Sequence, residues 1–335
     1  MIRRAWLGLI AAMVFLGGAS TQAQPVFDGL KVTFCGTSGP LPVRDRAKPC
    51  LAVQAGGSLF LVDIGPEATE NLQLWRLPLD TAKAVFITHL HSDHIGDLGE
   101  FNMQSWVAGR PAPLLVIGPP GVDRLAKGFN EAYALDHGYR NAHHEHDDIK
   151  LPIAAGLLKA KVVAPPKSGT VVVWNEGGLT VTAIVVKHDP ATPAYGYRFD
   201  YKGRSFVVSG DTKKWPPLAD AAKGADLIIH EAQNPDMTRT MAAGLAGQGN
   251  KRMSSIMADT LSYHTSPEEA AEIARAAGVK ALVLTHLTQA GLPFYNAAAF
   301  TKGMDAGGPL DWRLAKDGMT IELPAGSKDI RFGQL

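Results

Sequence analysis

The segment Thr88-His-Leu-His-Ser-Asp-His94 constrains this chain more than any other. It follows the apolar run Ala84-Val-Phe-Ile87, so a strand is predicted to end where the histidines begin. On a strand end, His89 and His91 project to the same side because they are two residues apart. A tight turn through Ser92 then lets Asp93 and His94 face a second position. Four metal-binding side chains within six residues can therefore serve two adjacent cations. The alternative, a polar turn without metal, would crowd imidazoles beside a carboxylate with no compensating charge, at a large desolvation cost.

Zinc takes about four ligands and keeps one position open when it is catalytic, so further donors are required from other strand ends. Three positions meet that demand. His188 closes the apolar run beginning at Val181, Asp211 follows Phe206-Val-Val-Ser-Gly210, and His286 follows Ala281-Leu-Val-Leu-Thr285. Each sits just past a strand, where open α/β sheets collect their ligands. Taken singly, each reads equally well as a polar residue satisfied at a sheet edge; with the first motif they read as one ligand set.

Strand-like runs at 31–34, 58–62, 84–87, 114–117, 171–174, 179–186, 205–208, 227–229 and 281–284 alternate with helical periods at 96–107, 122–134, 253–261 and 267–277. No Pro-, Gly- and Ser-rich linker divides this alternation, which predicts one α/β domain over 24–335. The stretch of about 136–166 has no clear place in it and reads as an insertion over one face. With 46% hydrophobic and 19% charged residues among 335, the composition is that of a globular protein.

Residues 1–23 stand apart. Arg3 and Arg4 precede an apolar run over 5–18, and small residues follow at 19–23. This is the pattern of a cleaved secretory signal, too short for a membrane span of about 20 residues. The expectation is a periplasmic or secreted protein with no stable membrane insertion after cleavage. The two cysteines, Cys35 and Cys50, could then close a disulfide or remain buried small hydrophobes; spacing alone leaves both open. A formal net charge of +1 leaves no basic excess of the kind a polyanion binder carries, so no nucleic-acid partner is expected.

These motifs resemble the metallo-β-lactamase superfamily, and within it the branch of ribonuclease Z and the zinc-dependent arylsulfatases. The resemblance is carried by Cys35-Gly-Thr-Ser-Gly-Pro40, Val62-Asp-Ile-Gly65, the His89–His94 motif, His188 with Ala194-Tyr-Gly-Tyr197, Gly210-Asp-Thr212, His230-Glu-Ala232, His264-Thr-Ser266 and Leu284-Thr-His286. It implies an αββα sandwich with two Zn²⁺ at one edge, although iron or manganese suits the same donors. Carried over by motif, His89, His91 and His188 bind the first ion; Asp93, His94 and His286 bind the second. Asp211 bridges them, and Asp63 orients ligands without touching metal.

Two close cations lower the pKa of water held between them, and Asp93 is placed to orient that nucleophile while serving as ligand. A leaving oxygen also needs a proton, which a histidine outside the metal shell can supply. His264 is the candidate. It precedes a helix start written Thr265-Ser-Pro-Glu-Glu269, and the resemblance pairs it with Glu231, here in His-Glu-Ala-Gln and His-Thr-Ser variants of the branch's motifs. A solvent-facing loop histidine is the competing reading. A second cluster, His143-His-Glu-His146 with Asp147, lies in the insertion and reads as a solvated loop roofing the pocket rather than a third metal site. Trp106, Phe129 and Tyr133 read as core.

Between His188 and Asp211 only a short Tyr-Gly-Tyr hairpin fits, where ribonuclease Z carries its tRNA-gripping arm. With the leader and the charge, this turns the expectation toward an exported, arylsulfatase-like hydrolase of small sulfate or phosphate esters. A lactonase or β-lactamase, a ribonuclease Z-like enzyme and a non-catalytic zinc-stabilised binding protein remain as alternatives. A small-molecule ester is the expected partner, with self-association as a homodimer left open.

Overall fold

The structure, a computed structural model, describes residues 27–145 and 149–335; the secretory signal expected at 1–23 and the pair His146 and Asp147 lie outside the described residues. Among the described residues, no helix is long and apolar enough to cross a membrane.

Apolar runs with β-branched residues form two facing sheets of eight and seven strands among the described residues. In the first, Ser58–Val62, Ala82–Phe86, Leu114–Gly118 and Leu158–Val162 run parallel, with Cys50–Ala55 and Gly29–Gly36 antiparallel beyond them. In the second, Arg204–Val208, Leu227–Ala232, Ala281–Leu287 and Asp311–Leu314 are parallel, and Leu179–Val186 and Ala194–Tyr201 extend that sheet antiparallel. The central strands Leu227–Ala232 and Ala281–Leu287 are buried along their whole length because both faces are covered.

Phe34, Phe86, Tyr195, Tyr197, Phe199 and Phe206 fill the space between the sheets. Phe86 packs edge-on to Phe199 at 5.5 Å, while Phe199 stacks on Phe206 at 4.9 Å. Helices cover both outer faces. Ala68, Leu72, Leu98, Phe101 and Val122 close the first sheet, and Leu218, Ala270, Ala274 and Phe300 close the second. The order helix, sheet, sheet, helix is the αββα sandwich.

The region of about 136–166 divides into helix Ala134–His143, a short 3-10 turn at Ile153–Gly156, and the edge strand Leu158–Val162. Only Leu158 of that strand is buried, and Lys159 and Lys161 lie on it, so the alternation that marks a strand is hidden by its exposed edge. Trp106 is buried, with its indole N–H donating to the Pro152 carbonyl at 3.0 Å, and Phe129 packs as a partly buried member of the core. Tyr133 packs against the small cluster around Trp106. Cys35 and Cys50 are bonded to one another, tying the first two strands together.

Candidate metal centre and proton-transfer pair

Parallel strands of both sheets deliver their C-terminal ends to one edge of the sandwich. Ala82–Phe86 leads into Thr88 and His89, and the four-residue helix Ser92–Ile95 turns His94 back beneath them. His188 follows Leu179–Val186, and Asp211 follows Arg204–Val208 through Gly210 at φ 60°. A Cβ on Gly210 would lie 2.4 Å from the Tyr195 carbonyl oxygen, so this turn requires glycine. His286 belongs to Ala281–Leu287 but has φ 50°, and the pairing passes from Glu231 opposite Thr285 to Ala232 opposite Leu287. It is the extra residue of a bulge, and the bulge aims its ring at the site.

The seven expected donors come together. The Asp211 Oδ2 atom lies 3.2 Å from His286 Nε2, 3.4 Å from His94 Nε2, 3.9 Å from His188 Nε2 and 4.0 Å from His89 Nε2. Asp93 Oδ2 lies 3.5 Å from His286 Nε2 and 3.6 Å from His94 Nε2. His89 Nε2 and His91 Nδ1 are 2.8 Å apart, and His188 Nε2 lies 3.4 Å from the same His91 atom. Donor atoms of His89, His91 and His188, and separately those of Asp93, His94 and His286, fall within 4.8 Å of one another. The cluster is open to solvent at His91, partly open at Asp93 and buried elsewhere.

His94 Nε2 and both ring nitrogens of His286 are buried without a hydrogen bond, although carboxylate oxygens stand nearby. Buried polar atoms left unmatched are costly, and imidazole nitrogens and carboxylate oxygens converging in this way suit divalent cations such as zinc. The donor set fits the metals.

Surrounding groups fix each ring. Asp63 sits at φ 57° and accepts from His94 Nδ1 at 2.7 Å, the Thr88 hydroxyl at 2.8 Å and the Thr88 amide at 2.8 Å. This turns His94 Nε2 toward the cluster. His188 Nδ1 donates to the Tyr263 carbonyl at 3.0 Å, leaving Nε2 inward. The orienting atoms on Thr88 and Tyr263 were not singled out from sequence. Thr88 carried a signal as the residue before the first histidine, whereas a backbone carbonyl carries none.

Glu231 and His264 meet beside the cluster. Glu231 Oε1 accepts from His264 Nδ1 at 3.0 Å, from the Thr212 amide at 3.1 Å and from the Thr265 amide at 3.2 Å. Ser266 and Glu269 close a capping box on helix Pro267–Ala277, holding the loop that carries His264. Burial, opposed by Asp211, lowers His264 to about 4. Burial and the Asp211 charge push Glu231 well up, against the amide donors. Burial pulls His188 down to about 4, whereas in His286 the charges of Asp211 and Asp93 overcome burial and lift it to about 9. Asp93 is raised by burial but held to about 2 by His94 and His286. His143 ends helix Ala134–His143, and this second histidine cluster is absent from the donor groups found among the described residues.

Residues 59–287 match the family model described as Beta-lactamase superfamily domain. The chain is 36% identical to the Ribonuclease Z of Mycobacterium marinum over 264 residues, spanning 78% of this chain and 87% of that protein. It is 35% identical to the Ribonuclease Z of Mycolicibacterium paratuberculosis over the same shares. Among solved structures it is similar to the metallo-beta-lactamase fold protein YhfI from Bacillus subtilis, at TM-score 0.62 and 21% identity over 88% of this chain and 99% of that one. It is also similar in fold to human tRNase Z, short form, at TM-score 0.62 and 22% identity, with the same coverage.

Likeness to ribonucleases over most of the chain overturns two expectations: an arylsulfatase-like or lactonase-like hydrolase of small esters, and a small-molecule partner with no nucleic acid. A net charge sums over the whole surface and says nothing about the field at one mouth. Nor does a short hairpin between His188 and Asp211 decide the substrate class, which depends on the site itself.

Proposed function

The chain belongs to the metallo-β-lactamase superfamily, in its ribonuclease Z branch, and from that premise we propose that it is a metal-dependent phosphodiesterase that hydrolyses RNA. The observation that carries this reading is the 36% identity to Ribonuclease Z across 87% of that protein's length. His89, His91 and His188 would hold one cation, Asp93, His94 and His286 the other, with Asp211 between them. Bound cations would supply Lewis acidity toward phosphoryl oxygens and acidify nearby water.

The rest falls to the chain. Asp93, kept ionised by His94 and His286, orients the attacking water. Glu231 Oε1 and His264 Nδ1 stand 3.0 Å apart, so the carboxylate fixes the ring by that nitrogen and favours its charged form. With Glu231 gripping Nδ1–H, a protonated His264 hands its Nε2 proton to the leaving ribose oxygen and keeps the one on Nδ1. Asp63 and the Tyr263 carbonyl keep His94 and His188 from rotating away.

The test is a precursor transfer RNA with a 3′ trailer, bis-p-nitrophenyl phosphate and p-nitrophenyl sulfate, each with and without chelator on metal-quantified protein. Chelator-sensitive cleavage of the RNA and the phosphate diester is expected. Sulfate turnover without phosphodiester turnover would overturn the reading. The Cys35–Cys50 disulfide also supports the proposal that the protein works in an oxidising compartment, outside the cytoplasm. Fractionation of cells producing the full chain checks it, and recovery in the cytosol with both thiols free would defeat it.

A further inference from the structure

Beside the cluster, three loops enclose a cleft of about 380 Å³. His89 and His91 line it on the side of the cluster, and Pro119, Pro120, Pro190 and Pro193 form much of its walls. Leu90, between the two histidines, also lines it and keeps 36% of its surface exposed. Among the described residues, no lysine, arginine, aspartate or glutamate lines the cleft. Away from the two histidines its walls are four prolines with Leu90, Ala191 and Thr192, more apolar than the cluster it adjoins.

Its volume lies in the range of pockets that take small-molecule groups, roughly 300–1,000 Å³. Proline rings have fixed φ and no N–H, so the walls need little ordering and offer apolar surface, with the Thr192 hydroxyl as a polar group beside it. The loop behind them is drawn close: a Cβ on Gly121, at φ 106°, would lie 2.8 Å from Leu90 Cδ1. An anion gains nothing from such walls, whereas a neutral planar ring loses water on both faces. A phosphodiester held at the cluster must send one of its two substituents along the surface, and this cleft is continuous with His89 and His91.

We propose that the cleft is a base subsite, taking the nucleobase of the nucleotide next to the scissile phosphate. It rests on the phosphodiesterase reading above. The subsite would make the protein prefer nucleoside esters over equally activated esters that lack a base. Ala191, partly buried in the cleft wall, is the position at which it can be filled.

Thymidine 5′-p-nitrophenyl phosphate and methyl p-nitrophenyl phosphate share leaving group and charge and differ in the base. The wild-type protein is expected to favour the nucleoside ester in kcat/KM by about tenfold or more. Ala191→Phe, which fills the cleft, should collapse that ratio, and Pro120→Ala, an exposed and milder change, should reduce it in the same direction. Metal content and thermal midpoint show whether each variant is folded and loaded. A wild-type ratio near unity, or equal loss on both esters in the folded variants, would overturn the subsite. If the wild-type protein cleaves neither ester, the phosphodiesterase reading has failed, and binding decides the subsite by itself. Thymidine 5′-phosphate should then bind more tightly than inorganic phosphate by calorimetry and lose that advantage in Ala191→Phe; equal affinities would reject the proposal.

Discussion

Two buried polar clusters in this molecule differ in composition and in how their hydrogen bonds close. Around Arg110, which is 2% exposed, the guanidinium finds only neutral acceptors. Its Nε donates to the Ser105 hydroxyl at 3.0 Å, Nη1 to the carbonyls of Ala155 at 2.8 Å and Ala112, and Nη2 to the side chain and carbonyl of Asn102 at 2.7 and 3.3 Å. All five N–H groups of an arginine are thereby used. At the strand ends, by contrast, His94 and His286 keep inward nitrogens without a hydrogen bond. A cluster that satisfies itself holds the fold together; one that leaves convergent lone pairs unmet is built for something not made of protein.

Removing the shared carboxylate tests that distinction most severely. Asp211→Ala should lower bound metal toward half and cut diester turnover on the order of a thousandfold or more, with the fold retained. Elemental analysis with steady-state kinetics checks it. A variant with full metal content and full activity would break the comparison at its functional end.

At the other cluster the loss should fall on stability alone. Arg110→Met keeps the apolar stem but strips the arginine donor from the carbonyls of Ala112 and Ala155 and from Asn102 Oδ1. A cost of roughly 3 kcal/mol in unfolding free energy is expected, since buried groups stripped of a partner lose about 1–3 kcal/mol each. Denaturant melts measure it, and metal content and kcat in the folded variant should stay at the wild-type value. A change in metal affinity would mean that the two clusters are coupled.

The difference between the clusters also explains what could be read before the structure. Metal donors are side chains, and His89, His91, Asp93, His94, His188 and Asp211 each stand just past or near an apolar run, so they are visible in a string of letters. The Arg110 network is made largely of backbone carbonyls, which no letter marks. His286 shows both limits: its identity was legible, but its position as a bulged residue at φ 50° depends on how Leu227–Ala232 pairs with Ala281–Leu287. Strand Leu158–Val162 was hidden because an exposed edge need not alternate. Substrate class was the least legible. Total charge and the short hairpin between His188 and Asp211 are its only marks in the sequence, and neither describes the mouth of the site.

Asp63 belongs to both kinds of cluster, satisfied by three hydrogen bonds yet holding a donor of the unsatisfied one. Asp63→Asn preserves shape while removing the charge that fixes His94. Metal affinity should fall about 10–100-fold, as for other groups that orient a ligand without touching metal. Competition with a chromogenic chelator reads this directly. An unchanged affinity would show that packing alone orients His94.

The smallest effect concerns His137, 1% exposed and edge-on to Trp106 at 5.1 Å, beside the Arg110 network. Burial lowers its pKa from 6.5; Asp136 opposes the shift, and Arg110 and Arg140 reinforce it. Folding therefore favours the neutral ring. Its contribution is fully present above pH 6.5, the unfolded value, and is lost as pH falls from there through the lowered folded value. His137→Leu should flatten the loss of thermal midpoint between neutral pH and pH 5. The cluster histidines add an acid sensitivity of their own, because protons compete with metal for the same nitrogens. Measured with and without chelator, the His137→Leu increment should be the same in both states if the two clusters are energetically separate. Unequal increments would show that the network around Arg110 senses whether the strand-end site is filled.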